Sequence, residues 1–264
     1  MANDWALILG ASSGFGGATS LELARSGYNI FGVHLDLRAT LPNAQRIQEE
    51  IGSLGREFEF FNVNAADAEK RASVIEAMQQ RLRQEGDNAY VRVFLHSLAF
   101  GTLLPYFGET PKGAISQKQM EMTLDVMANS LVYWTQDLIG RDLLSEGSRI
   151  FAMTSSGSTR VINSYGAVSA AKAALESHIR QIAFELAQLG IAANAIRAGV
   201  TDTPALRRIP GGLELHAQAQ ERNPSGRSTT TDDVARAIAA LADERLRWMT
   251  GNVIGIDGGE EITA

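Results

Sequence analysis

The chain has 264 residues, 45% hydrophobic and 20% charged, and carries a formal net charge of -6. That balance places it among soluble globular proteins rather than disordered ones, and it argues against nucleic acid as a partner, because phosphate recognition needs a basic face. The absence of cysteine excludes disulfides, thiolate catalysis and cysteine-ligated zinc, and the scattered His34, His96, His178 and His216 lack the short spacing of a metal site.

No linker-like run divides the sequence, so one domain spanning 1–264 is expected. Apolar periodicity starts at Trp5 with no basic leader before it, and no run approaches the roughly 20 apolar residues of a membrane span; a cytoplasmic protein with no membrane partner is expected. WALIL, NIFGV, EFEFFNV, YVRVFLH, RIFAMT, IAANAI and NVIGID read as strands. Helical patterns lie between them near 14–26, 40–53, 67–84, 117–143, 165–189 and 231–243. This alternation predicts a single doubly wound α/β Rossmann domain, a parallel sheet of about seven strands flanked by helices. Ligands of that architecture bind beyond the carboxyl ends of the strands, so the residues following each strand carry the information.

The first strand runs into Gly10-Ala11-Ser12-Ser13-Gly14-Phe15-Gly16 and then a helix. Glycines at this place allow a tight turn and close approach of a pyrophosphate, which the N–H groups of the helix N-terminus would bind. The second strand ends at His34, where an acid would grip the ribose hydroxyls of NAD and repel a 2'-phosphate. His34 therefore favours NADPH over NADH, while Asp36 and Arg38 just beyond pull in opposite directions. Residues 201–226, with Pro204, Pro210, Gly211, Gly212 and Pro224, read as a mobile substrate lid.

The G-x3-G-x-G spacing, Asn64-Ala65 after the third strand, His96-Ser97-Leu98-Ala99 after the fourth, Ala198-Gly199-Val200-Thr201-Asp202-Thr203 and the closing Asp257-Gly258-Gly259 together resemble the short-chain dehydrogenase/reductase superfamily. The resemblance covers nearly the whole chain. It implies a nicotinamide cofactor held by Gly10, Ser13, Gly14, Phe15, Gly16, His34, Asn64, Ala65, Ser97, Lys172, Gly199, Val200 and Thr203. It also implies a homotetramer.

Tyr165 precedes Lys172 by seven residues, close to two helical turns, which puts Tyr165 at or before the first turn with Lys172 leaning back toward it. The superfamily's usual tyrosine position, four before the lysine, holds Val168. The Tyr-x6-Lys spacing and the His96-Ser97 segment are similar to enoyl-acyl-carrier-protein reductases, closest to the NADPH-dependent type III. That likeness implies reduction of the C=C bond of a 2-enoyl thioester, carried by acyl-carrier protein or coenzyme A. Tyr165 would donate to the enolate oxygen, Lys172 would acidify the phenol and hold the nicotinamide ribose, and Ser155 would supply a second donor or cap a turn. The superfamily's helix asparagine aligns with Met127, and Asn129 lies two residues later on another face. Arg207 and Arg208 are candidates for meeting an acidic carrier. Two alternatives stand beside this reading: reduction of a 3-oxoacyl thioester or other carbonyl, and a dinucleotide-sensing protein without turnover.

Overall fold

All seven apolar runs form strands of one parallel sheet in the computed structural model, which describes residues 4–86, 89–110 and 113–263. The strands are β1 (Trp5–Leu9), β2 (Asn29–His34), β3 (Phe58–Asn62), β4 (Val91–His96), β5 (Arg149–Thr154), β6 (Ala192–Ala198) and β7 (Val253–Ile256). Their order in space is β3-β2-β1-β4-β5-β6-β7. The order reverses beside β1, and the crevice opened there between the β1 and β4 ends is the ligand position of doubly wound sheets.

The helices are α1 (Gly14–Arg25), α2 (Leu41–Ser53), α3 (Ala68–Glu85), α4 (Gln117–Leu124), α5 (Ser130–Gly140), α6 (Gly166–Glu185), α7 (Gly212–Arg222) and α8 (Thr231–Leu241). The two-residue period of a strand assigns each side chain to a layer. Trp5, Leu7 and Leu9 point into a core with α3, α5 and α6, whereas Ala6 and Ile8 point into a second core with α1, α2 and α8. Burial on both faces explains why β1 reads as an unbroken apolar run.

Two regions depart from the sequence expectation. The pattern at 117–143 is two helices joined by a π-helical turn, Asp125–Asn129. Within the expected lid, Gly212–Arg222 forms α7 behind Gly211, whose φ of +74° a side chain would resist. Its single fully buried apolar position, Ala219, left too faint a periodic signal to read.

Candidate active site

The glycine loop is assembled by backbone contacts that side chains would prevent. A Cβ on Gly10 would lie 2.5 Å from the Ser97 carbonyl oxygen, and one on Gly16 would lie 2.2 Å from the Gly10 carbonyl oxygen. The loop, α1 and the β4 end are thereby pressed together, and Ser97 is fixed through its N–H to the Leu9 carbonyl at 2.9 Å. Ser13 is the N-cap of α1 but its side chain makes no cap bond, which leaves the first amides of α1 facing the crevice without a side-chain partner. Gly14, at φ +55°, faces the Thr203 methyl, and Phe15 packs half-buried on the second core. A pyrophosphate fits this arrangement of small residues and uncapped amides.

Around the adenosine end, His34 is buried and its Nδ1 lies 2.8 Å from an Asp36 carboxylate oxygen. His34 thus shares the end of β2 with a carboxylate two residues beyond it. Burial pushes the Asp36 carboxyl up, but hydrogen bonds from Thr40, Ser12 and His34 outweigh that and hold it below its ordinary value. Ser12 belongs to the glycine loop, so the carboxylate is anchored at the loop's edge. Asn64 closes a turn by accepting the Ala66 N–H, and the buried Ala65 gives its carbonyl to the Trp134 indole N–H at 2.8 Å.

Tyr165, Lys172 and Ser155, the residues singled out for catalysis in the sequence, are carried by α6 and the end of β5 beside the β4 loop. Tyr165 is the N-cap of α6, immediately after Ser164 at φ +58°. Its ring lies against Gly157, where a Cβ would come within 2.6 Å of the ring. Ser155 caps the turn, its oxygen accepting the Gly157 N–H at 3.1 Å, and its side chain also hydrogen-bonds the Tyr165 hydroxyl. Burial raises the Tyr165 phenol, and the Ser155 bond offsets that only in part. Acidification by Lys172 is not the arrangement found. Lys172 donates instead to the Met153 carbonyl at 2.7 Å and the Leu98 carbonyl at 3.5 Å. Burial lowers the Lys172 ammonium to about 8 against the pull of Glu176. The tyrosine is thus kept protonated, as a hydrogen-bond donor requires.

His96 at the β4 end is fully buried, with Nε2 2.8 Å from Ser130 Oγ, and burial together with Lys172 pushes it down to about 3. It is a neutral ring behind the site. The π-helical turn puts Met127 into an apolar cavity of about 100 Å³ lined also by Leu103, Tyr165, Val168, Arg208 and Ile209. Asn129 turns away toward His178, 3.3 Å from its Nε2. Arg207 is held by Asp202 through two bonds of 2.8 Å, which leaves Arg208 at the cavity mouth.

Gly199 donates its N–H to the Ile256 carbonyl, and Thr203 is buried with its hydroxyl accepting the Leu206 N–H. Val200 gives its N–H to a carboxylate that the sequence did not single out, that of Glu260, at 3.0 Å. A charged residue after a closing Gly-Gly carries no sign that it is buried.

A glycine loop at the first crossover, a tyrosine and lysine on one helix and a serine beyond β5 define a short-chain dehydrogenase/reductase, a nicotinamide-dependent oxidoreductase. Within that superfamily the chain belongs to the family described as Enoyl-(Acyl carrier protein) reductase, whose profile matches residues 10–261. It is 28% identical to an uncharacterised oxidoreductase of Bacillus subtilis over 96% of this chain and 95% of that protein. It is 31% identical to the NADH enoyl-[acyl-carrier-protein] reductase of Aquifex aeolicus over 64% of this chain and 62% of that protein. A 1-cyclohexenylcarbonyl-CoA reductase of Streptomyces collinus is 27% identical over 98% of this chain and 87% of its own length. The fold matches the crystal structure of the Aquifex aeolicus reductase with a TM-score of 0.84 at 23% identity, over 99% of this chain and 97% of that one.

Proposed function

We propose that the protein reduces the C=C bond of a short 2-enoyl thioester. The observation that carries this reading is the position of Tyr165: it is the α6 N-cap on the cavity wall, while Val168, at the superfamily's usual tyrosine position, is an apolar part of that wall. A donor set back by about one turn suits an oxygen remote from the atom that receives hydride, as in conjugate reduction.

A reduced nicotinamide, held by the glycine loop and the 199–203 segment, supplies the hydride when bound. Tyr165 Oη donates a hydrogen bond to the thioester oxygen as it becomes an enolate, and Ser155 supports that hydroxyl from behind. Lys172, fixed by two carbonyls, would hold the nicotinamide ribose with its ammonium. Met127, Leu103 and Ile209 exclude water from the reacting carbons, which strengthens every polar contact there. The cavity, about 100 Å³, is smaller than the roughly 300–1,000 Å³ of drug-sized ligand sites and fits a short acyl group. Arg208 at its mouth suits the phosphate of a pantetheine arm, whether on a carrier protein or on coenzyme A.

For the cofactor, the anchored Asp36 carboxylate supports NADH over NADPH, because it occupies the place where a 2'-phosphate would be repelled. This reading runs opposite to the expectation drawn from His34. A homotetramer in the cytoplasm accompanies the resemblance, and analytical ultracentrifugation tests the assembly.

The deciding experiment follows nicotinamide absorbance with crotonyl, 2-dodecenoyl and acetoacetyl thioesters side by side, using NADH and NADPH. Turnover is expected on the crotonyl substrate, with 2-dodecenoyl slower. Turnover on acetoacetyl thioester alone would make the protein a carbonyl reductase, and turnover on none of them would favour a dinucleotide sensor.

A further inference from the structure

The carboxylate of Glu260 is the one strongly buried acid of the described residues with no part in the chemistry above: the residue is 4% exposed. It reaches the interior because Gly258 and Gly259 take φ values of +63° and +89°, which turn the chain back after β7. One oxygen accepts the Val200 N–H at 3.0 Å, and the other lies 3.9 Å from the guanidinium of Arg222, the last residue of α7. Gly199 is flattened between this carboxylate and Thr229: a Cβ there would be 2.9 Å from the Glu260 oxygen and 2.3 Å from the Thr229 hydroxyl. The neighbouring acids are engaged elsewhere, Asp257 on the Gly259 and Glu261 amides and Glu261 on Arg160.

Burying a carboxylate costs several kcal/mol unless it is paired, and an apolar side chain would fill the same space without that cost. What the carboxylate adds is a link between three segments distant in sequence: the 199–203 segment, the end of α7 and the C-terminal turn. We infer that Glu260 is a positioning residue, which sets Val200 and Gly199 against the nicotinamide and ties that setting to α7, the helix of the segment above the substrate cavity. The inference rests on 199–203 being the nicotinamide cradle and not on which bond of the substrate is reduced.

Three variants separate the two bonds. Glu260→Gln keeps an oxygen for the Val200 N–H and loses the charge facing Arg222. Arg222→Met loses the same link from the other side, and Glu260→Leu loses both contacts. Amide hydrogen exchange on the cofactor-free protein is the first measurement, with cofactor affinity by nicotinamide fluorescence and thermal midpoint beside it. In Glu260→Leu we expect fast exchange at Val200 and cofactor affinity weaker by about tenfold, the scale of one buried hydrogen bond to a charged group. In Glu260→Gln and Arg222→Met we expect Val200 to stay protected, cofactor affinity to stay within about threefold, exchange over 212–222 to quicken and substrate KM to rise more than kcat falls. The inference is overturned if Val200 exchange and cofactor affinity in Glu260→Leu match the wild type, or if all three variants only lower the thermal midpoint in parallel. If Glu260→Leu does not fold, unchanged exchange over 212–222 in the other two variants overturns it equally. A protein that turns over no enoyl thioester yet shows these exchange and affinity changes would sink the proposed substrate and leave this assignment standing.

Discussion

Replacing Tyr165 by Phe removes one oxygen from a ring whose packing is set by Gly157 and whose residue is only 8% exposed. The ring stays where it is. The folded protein loses the hydrogen bond with Ser155, a net cost of about 0.5–1.5 kcal/mol, reduced because the phenol's own desolvation is relieved. In the proposed reaction the same oxygen would face a developing enolate, and one such donor contributes about 3–4 kcal/mol, or 10²–10³ in rate. The two magnitudes separate the roles. Crotonyl turnover should fall by at least about 10², while the thermal midpoint moves by a few degrees and cofactor affinity, measured by fluorescence, stays near wild type. Adding Val168→Tyr should not rescue the variant. Val168 is itself cavity wall, so a tyrosine there fills the cavity and overpacks it by about 1–3 kcal/mol. Near wild-type turnover by Tyr165→Phe on crotonyl thioester would refute the whole assignment of the donor.

Asp36→Ser should raise the ratio of NADPH to NADH turnover by about tenfold or more, since a fixed like charge opposes the 2'-phosphate; an unchanged ratio in steady-state kinetics would remove Asp36 from cofactor choice. Ser164→Gly should gain roughly 0.5 kcal/mol, a left-handed penalty of about 1–2 kcal/mol less the entropic cost of glycine, whereas Ser164→Val should lose stability and misplace Tyr165, as urea melts with kcat would reveal. For Lys172 the sign follows from its depressed pKa. Between about 8 and 10.5 the unfolded chain holds more of this proton than the folded one, so the residue's contribution to stability rises with pH through that window. The urea midpoint of the wild type should climb relative to Lys172→Met from pH 8 to 10, and a falling difference would contradict the burial argument.

The strands and the family landmarks were legible because each rests on local chemistry: apolar runs for strands buried on both faces, and glycines where backbones touch. Tyr165 at the first turn followed from helical geometry alone. What stayed hidden depends on tertiary neighbours. His34 occupies the end of β2, but only the folded loop shows that Asp36 pairs with it and that Ser12 and Thr40 anchor the carboxylate. Lys172 was expected to acidify the phenol, and the carbonyls of Met153 and Leu98 that draw it away come from two other strands' ends. The buried state of Glu260 depends on a reversal by two glycines whose φ values no sequence displays. Helix α7 has one apolar residue fully inside, Ala219, and a helix held by so little leaves almost no periodicity.

The π-helical turn between α4 and α5 has a consequence for how this cavity can be retuned. A π turn holds one residue more than the α-helix on either side needs, and each helical residue rotates the chain by about 100°. Thr123, on the far side of that turn, accepts the Thr102 N–H and so holds the loop that carries Leu103 and forms part of the cavity wall. With α5 held in the core, deleting Ala128 or Asn129 would restore a continuous helix and rotate both Thr123 and Met127 by about 100°, off the loop and off the wall. A single lost codon would thus redraw this cavity in one step, without replacing the tyrosine, the lysine or any residue of the glycine loop.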